Sequence, residues 1–174
     1  MRTRKIAQTA VMLALLVTLQ FVTKSLGQIV TGSCVNFILA ATVLICGLPA
    51  AVIVAILSPI CAFLLGIGPA FLPLVPGICL GNLTLVVLIY LITGKTIEKA
   101  APVRKVLAVA CASVCKFAVL FLVVTKMILP FLSLNEKQTA VISASFSYPQ
   151  LITALIGSTL AILLCPRILK GIKK

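Results

Sequence analysis

A single lysine lies deep inside an apolar stretch of this sequence. Lys116 stands near the centre of ACASVCKFAVLFLVV, residues 110–124, about ten residues from both Lys105 and Lys126. If the stretch is helical, roughly 15 Å of helix separates Lys116 from either flank, which is too far for its side chain to reach. A lysine at such depth in hydrocarbon costs about 2.5–3.5 kcal/mol, so we expect its ammonium to face protein or a wet cavity.

Other strongly polar side chains are predicted to lie at a similar depth around Lys116. They are Gln20, Asn36, Asn82, Tyr148 and Gln150. One fixed cation among amides, with no carboxylate nearby, would suit an anionic or carboxylate-bearing small solute held by charge-assisted hydrogen bonds. A structural role remains the alternative, in which the ammonium bonds to backbone carbonyls or side-chain amides and only locks the helices together.

Groups that perform acid–base or metal chemistry are nearly absent from the sequence. It contains no histidine, and its two carboxylates, Glu98 and Glu136, are both expected in loops. General acid–base catalysis needs such groups, so we do not expect an enzyme. The seven cysteines are scattered through apolar runs without a CxxC pair, so neither a metal site nor a cofactor is predicted. The chain also lacks a GxxxxGK[ST] phosphate loop, so energy for concentrating a solute would come from a partner.

The composition indicates a membrane protein. Hydrophobic residues make up 62% of the 174 residues and charged residues only 10%, which leaves too little polar surface for a soluble globule. Apolar stretches of about 17–25 residues recur, and each can cross the bilayer as a helix. We predict an all-α fold in one transmembrane domain, residues 1–174, with six transmembrane helices. Their approximate bounds are 5–25, 33–47, 50–66, 74–94, 103–126 and 140–165.

The basic residues flank these predicted helices, so the net charge of +13 is interpreted as a topology signal and not as a nucleic-acid surface. With six spans, eleven of the fifteen basic residues fall on one side. Those eleven are Arg2, Arg4, Lys5, Lys95, Lys99, Arg104, Lys105, Arg167, Lys170, Lys173 and Lys174. Positive-inside bias then predicts that both termini are cytoplasmic, in a multi-pass protein of a prokaryotic cell membrane.

A stripe of small residues follows one face of the first predicted helix. Ala7, Ala10 and Ala14 recur at intervals of three and four, and Thr18 continues the stripe. Small side chains allow another helix to approach closely. That helix belongs either to a partner protein or to the same bundle.

Several motifs together carry a resemblance to a known family. They are Ala10-xxx-Ala14, VNFILAATVLICGLPAAVIVAILSPICAFLLG across the second and third predicted helices, Asn82 in CLGNLTL, and YPQLITALIG at the last helix. With its size and six predicted helices, the chain resembles the substrate-binding S components of energy-coupling factor vitamin transporters along essentially its whole length.

The resemblance implies a subunit that binds a micronutrient tightly from outside. It implies docking through the first helix, by Ala10 and Ala14, onto a transmembrane coupling subunit driven by two cytoplasmic ATPases. It also places Asn82, Lys116, Tyr148 and Gln150 in the pocket. The chain has no tryptophan and two tyrosines, which favours a carboxylate-bearing ligand such as pantothenate, nicotinate, biotin or lipoate over thiamine or riboflavin.

Two other functions remain open from the sequence. One is a self-contained small permease or homo-oligomeric channel, which would transport its solute without ATPases. The other is a membrane-embedded scaffold that binds no small molecule.

Overall fold

A computed structural model of the chain describes residues 2–68, 71–94, 97 and 100–172. This part of the chain is helical throughout and contains no strand. Its α-helices are α1 (Arg2–Thr23), α2 (Gln28–Cys46), α3 (Leu48–Leu64), α4 (Leu74–Thr93), α5 (Pro102–Leu120), α6 (Glu136–Ser145) and α7 (Tyr148–Ile172). Beyond Leu120, α5 continues as a π-helical segment, Phe121–Ile128, and a 3₁₀ turn, Leu129–Phe131.

The helices support a multi-pass membrane protein. Five helical stretches in the described residues are long and apolar enough to cross a bilayer: Thr3–Leu26, Gln28–Cys46, Leu74–Thr93, Pro102–Phe131 and Glu136–Gly171. The helix α3 is apolar but shorter, with 17 residues. The all-α expectation is therefore confirmed, whereas the orientation of the termini remains a prediction. Lys95, Glu98, Lys99, Lys173 and Lys174, which the topology and enzyme arguments used, lie outside the described residues.

Two predicted helix boundaries are wrong. The second helix begins at Gln28 instead of residue 33, because the chain turns at Gly27, whose φ of 89° a side chain would disfavour. The predicted helix 140–165 is divided into α6 and α7. Pro149 is the second residue of α7, a position where its missing N–H is no loss, so it starts a new helix instead of continuing the old one.

The start of α6 carries its own sequence signal. Asn135 accepts a hydrogen bond from the backbone of Gln138, and the Gln138 side chain returns one to the backbone of Asn135. This capping box fixes the helix start at Glu136, four residues before the predicted start.

Glycines set how closely the helices pack. Gly32 and Gly157 lie where α2 and α7 touch: a Cβ at Gly32 would meet Thr153, and one at Gly157 would lie 2.6 Å from the Ser33 carbonyl oxygen. Because the contacts advance along both helices in the same direction, α2 and α7 run parallel. Gly77 and Gly81 of α4 similarly face Val124 and Leu120, and this reversed order makes α4 and α5 antiparallel.

Candidate functional site

Lys116 projects into the bundle from α5 and is only 3% exposed. Its Nζ donates hydrogen bonds to Oδ1 of Asn36 on α2, at 2.5 Å, and to Oδ1 of Asn82 on α4, at 2.8 Å. An ammonium group can only donate, so both amides must turn their oxygens toward it. The structure thus brings together three of the predicted site residues, each from a different helix.

The hydrogen bonds continue from Lys116 to the junction of α6 and α7. Asn36 Nδ2 donates to Thr153 Oγ1 at 3.2 Å, and Thr153 Oγ1 donates to the Gln150 carbonyl at 3.2 Å. Gln150 Nε2 donates in turn to the Ser145 carbonyl at 3.1 Å. The linked residues belong to α2, α4, α5, α6 and α7. The position of the ammonium is therefore coupled to five helices.

The close packing of α2 against α7 is what allows this network to form. A Cβ on Gly157 would lie 2.7 Å from the Cβ of Asn36. Because Gly157 has no side chain, the backbone of α7 approaches Asn36 directly, and Thr153 one turn earlier can reach its amide. On the other side, Gly81 lets the Leu120 side chain pack against α4 beside Asn82.

A cavity of about 370 Å³ adjoins the network. Polar residues that line it are Gln20, Gln28, Thr31, Asn36, Ser58, Asn82, Lys116, Ser145 and Gln150. Apolar walls include Val35, Leu74, Ile78, Leu120 and Ile142. Gln28 is exposed at the first turn of α2 and also lines the cavity, so the cavity reaches the surface at that end of the bundle. Its volume lies near the lower end of the range for small-molecule sites.

The positive charge of Lys116 has no acidic partner among the described residues. Glu136 is the one carboxylate side chain in that part of the chain, and it is exposed at the start of α6. Both acceptors of the ammonium are neutral amides, which take up two of its three donors. Asn82 Nδ2 also makes no hydrogen bond to another described residue. The site therefore retains one ammonium N–H, the two N–H groups of the Asn82 amide and an uncompensated charge beside a cavity.

The remaining predicted site residues divide into two groups. Gln20 and Gln150 line the cavity without contacting the ammonium. Tyr148, which the sequence analysis placed in the pocket, does not line the cavity. It is 74% exposed, and its ring stacks on Phe117 with 6.3 Å between the ring centroids. Side chains two residues apart on an α-helix point about 200° apart around the helix axis. Tyr148 and Gln150 therefore face roughly opposite directions.

Sequence reasoning missed Gln28, Ser58 and Thr153. The sequence pattern predicts a later start for the second helix, which places Gln28 in a loop. Thr153 was detectable, because it lies three residues after Gln150. Residues three apart share a face of an α-helix. Ser58 gave no signal beyond its polarity. Its hydroxyl is buried with no hydrogen-bond partner in the described part of the chain, although it lines the cavity.

The alanine stripe lies apart from this cavity, on the outside of the bundle. Ala7, Ala10 and Ala14 are all exposed, as is Thr18. The stripe therefore does not serve internal packing among the described helices. The helix α1 is also the least buried of the possible membrane spans. This face is open to lipid or to another protein.

The fold and the site together define a class: an all-helical, multi-pass membrane protein that encloses a cationic cavity near one end of its bundle. No family model, curated protein or solved structure matches the chain.

Proposed function

We propose that this protein is a membrane-embedded, high-affinity binding subunit for uptake of a small carboxylate-bearing micronutrient. The observation that carries the proposal is the Lys116 ammonium beside the cavity, held by two neutral amides and without an acidic partner among the described residues. Burying a lone charge is costly, and an anionic ligand would supply the missing countercharge.

The donors around the cavity suit a carboxylate in particular. A carboxylate has two oxygens that accept hydrogen bonds, and the site offers Lys116 Nζ for one and Asn82 Nδ2 for the other. Hydrogen bonds to charged groups contribute about 1.5–3 kcal/mol each. Asn36 accepts a hydrogen bond from the ammonium and donates one to Thr153, so both groups are already held and little side-chain ordering would accompany binding.

The subunit is proposed to be energised in trans and not to be an enzyme. The cavity is lined by no carboxylate or histidine from the described residues, and the sequence has no phosphate loop. We infer a transmembrane coupling subunit and two cytoplasmic ATPases as partners, as in the energy-coupling factor transporters whose S components the sequence resembles. The exposed stripe of Ala7, Ala10 and Ala14 supports docking of such a partner on α1.

The orientation is proposed from the same features. Both termini are placed in the cytoplasm of a prokaryotic cell, which directs the cavity mouth at Gln28 to the outside. The solute would then enter from outside and be released only after the partner engages.

Native mass spectrometry of the purified protein, followed by reconstitution in vesicles, tests this function. We expect a retained small acid, stabilisation of the protein by its ligand of about 4 kcal/mol at a thousandfold excess over Kd, and no uptake by the protein alone. Uptake without ATPases would instead establish a self-contained permease or channel. Failure of every small molecule to stabilise the protein would leave a scaffold and refute the proposal.

A further inference from the structure

The cavity has a measurable depth along two helices. On α2 it is lined from Gln28 to Asn36, and on α4 from Leu74 to Asn82. Each pair is eight residues apart, which corresponds to about 12 Å of helix rise. Both helices begin at the same end of the bundle, so the two pairs give one consistent distance from the mouth to the ammonium.

Polarity changes in a definite order along this depth. The base holds Lys116 with Asn36 and Asn82, all at most 3% exposed. Above them, Ile78 lies one turn before Asn82, and Leu120 lies one turn beyond Lys116 toward the mouth. These two apolar side chains form what we call the apolar belt.

The mouth combines uncharged amides with apolar side chains, among them Leu74 of α4 and Ile142 of α6. Gln28 is the first residue of α2 and Gln20 lies in the last two turns of α1, and both line the cavity. Neither side chain makes a hydrogen bond to another described residue, so both amides are available to a ligand. Among the described lining residues Lys116 is the one that carries a charge.

We infer that the ligand is an elongated monoanion, with its carboxylate on Lys116 and Asn82, an apolar body in the belt, and an uncharged hydrogen-bonding group at Gln20 and Gln28. This inference rests on the proposed function and specifies its substrate class. A second negative charge at the mouth would meet no cationic side chain among the lining residues, and a compact acid would leave the belt unfilled.

A chain-length series tests the inference. The protein, in lipid nanodiscs, is titrated with straight-chain monocarboxylates whose lengths bracket the roughly 12 Å depth, with free acid measured directly. Each methylene buried in the belt should tighten binding about fourfold, and the gain should stop once the chain exceeds that depth. Methyl esters should lose binding. An uncharged terminal amide should bind about fivefold tighter than a terminal carboxylate on the same chain.

Two variants on α4 locate the apolar body. Ile78→Ala removes part of the belt and should weaken the longest binding acid about tenfold while sparing short acids. Leu80→Ala is the matched control, because Leu80 is half exposed and is not among the residues that line this cavity, so binding should not change. Equal losses in the two variants, or equal affinity for short and long acids, would overturn the inference.

The outcomes separate this inference from the proposed function. A retained dianion, or a compact acid that outcompetes the series, overturns the elongated monoanion but leaves a solute-binding subunit. Esters that bind as well as acids overturn the inference and also the anionic part of the proposed function. If the protein neither retains nor binds any small molecule, both fail.

Discussion

The two halves of this bundle bury polar groups for different purposes. From the level of Asn36 and Asn82 toward the mouth, the helices enclose a cavity with a charged base. Beyond that level the same helices close into a solid apolar core, with Leu39 and Val43 on α2 and Leu85 and Ile89 on α4. The half with the apolar core is packed for stability, and the half with the cavity leaves hydrogen-bond donors available.

The hydrogen bonds of the two halves differ in the same way. In the solid half, Thr42 bonds to the Ile38 carbonyl at 2.6 Å and Thr93 to the Ile89 carbonyl at 2.7 Å, each within its own helix. In the cavity half, Asn36, Asn82 and Lys116 bond between helices. Depth and burial alone therefore do not identify a site. The informative feature is a buried polar group whose partners lie on other helices.

The largest expected effect comes from breaking the α2–α7 contact that holds the cavity half together. Gly157→Ala would place a Cβ 2.6 Å from backbone atoms of Ser33 and Phe37, which cannot move aside as a side chain would. We expect the free energy of unfolding to fall by about 2–3 kcal/mol, measured by thermal denaturation in detergent.

The matched control is Gly171→Ala, also on α7. An added Cβ there meets nothing within 4 Å, and alanine is a better helix former than glycine. Its unfolding free energy should stay constant or rise by up to about 1 kcal/mol. Gly157→Ala is thus expected to lower the unfolding free energy and Gly171→Ala is not, and a gain in both would show that α7 responds to helix propensity and not to the close contact.

Removing hydroxyls sharpens the contrast between local and interhelical bonds. Thr153→Val deletes the acceptor for Asn36 Nδ2 and should cost about 1–2 kcal/mol of stability, since a buried amide loses its partner. Thr42→Val removes a hydroxyl bonded within its own helix and should cost less than about 0.5 kcal/mol. If chemical denaturation shows a similar loss of unfolding free energy in both variants, the hydrogen bonds between helices stabilise the protein no more than a hydroxyl bonded within its own helix.

The smallest effect on the fold is expected on the outside of α1. Ala10→Phe and Ala14→Phe add volume at exposed positions, so stability and ligand affinity should change little. Co-purification with the proposed coupling subunit should nevertheless be lost, because the helix backbones of the two proteins could no longer approach each other. Normal yield of the complex from either variant would exclude this face as the docking surface.

Much of the fold was predictable because helix length and apolarity are local properties. The break between α6 and α7 was predictable too, from Pro149 and the Asn135 capping box, but hydropathy across residues 140–165 concealed it. The π-helical segment Phe121–Ile128 has no comparable sequence signal. The segment packs against α4 at Gly77, a tertiary contact that no local pattern records.

The site was predictable in part, through matched depth. Counting residues from the predicted helix ends puts Asn36 near the top of the second helix and Asn82 about eight residues down the fourth, in the same half of the bundle as Lys116, and both bond to it. Depth does not give the direction in which a side chain points, so Tyr148 was included although it faces outward. The partnership of Asn36 with Thr153 depends on the approach of α7 at Gly157, a contact between residues over a hundred positions apart.

Binding of a small carboxylate to Lys116→Met, compared with Lys126→Met, tests the central claim most directly. Lys126 is an exposed lysine on the same helical stretch, with its Nζ 5.6 Å from the Phe121 ring centroid. We predict that Lys116→Met remains folded but binds at least about 100-fold more weakly, and that Lys126→Met binds normally. Unchanged affinity in a folded Lys116→Met protein would show that the ammonium only joins the helices, and would contradict the account.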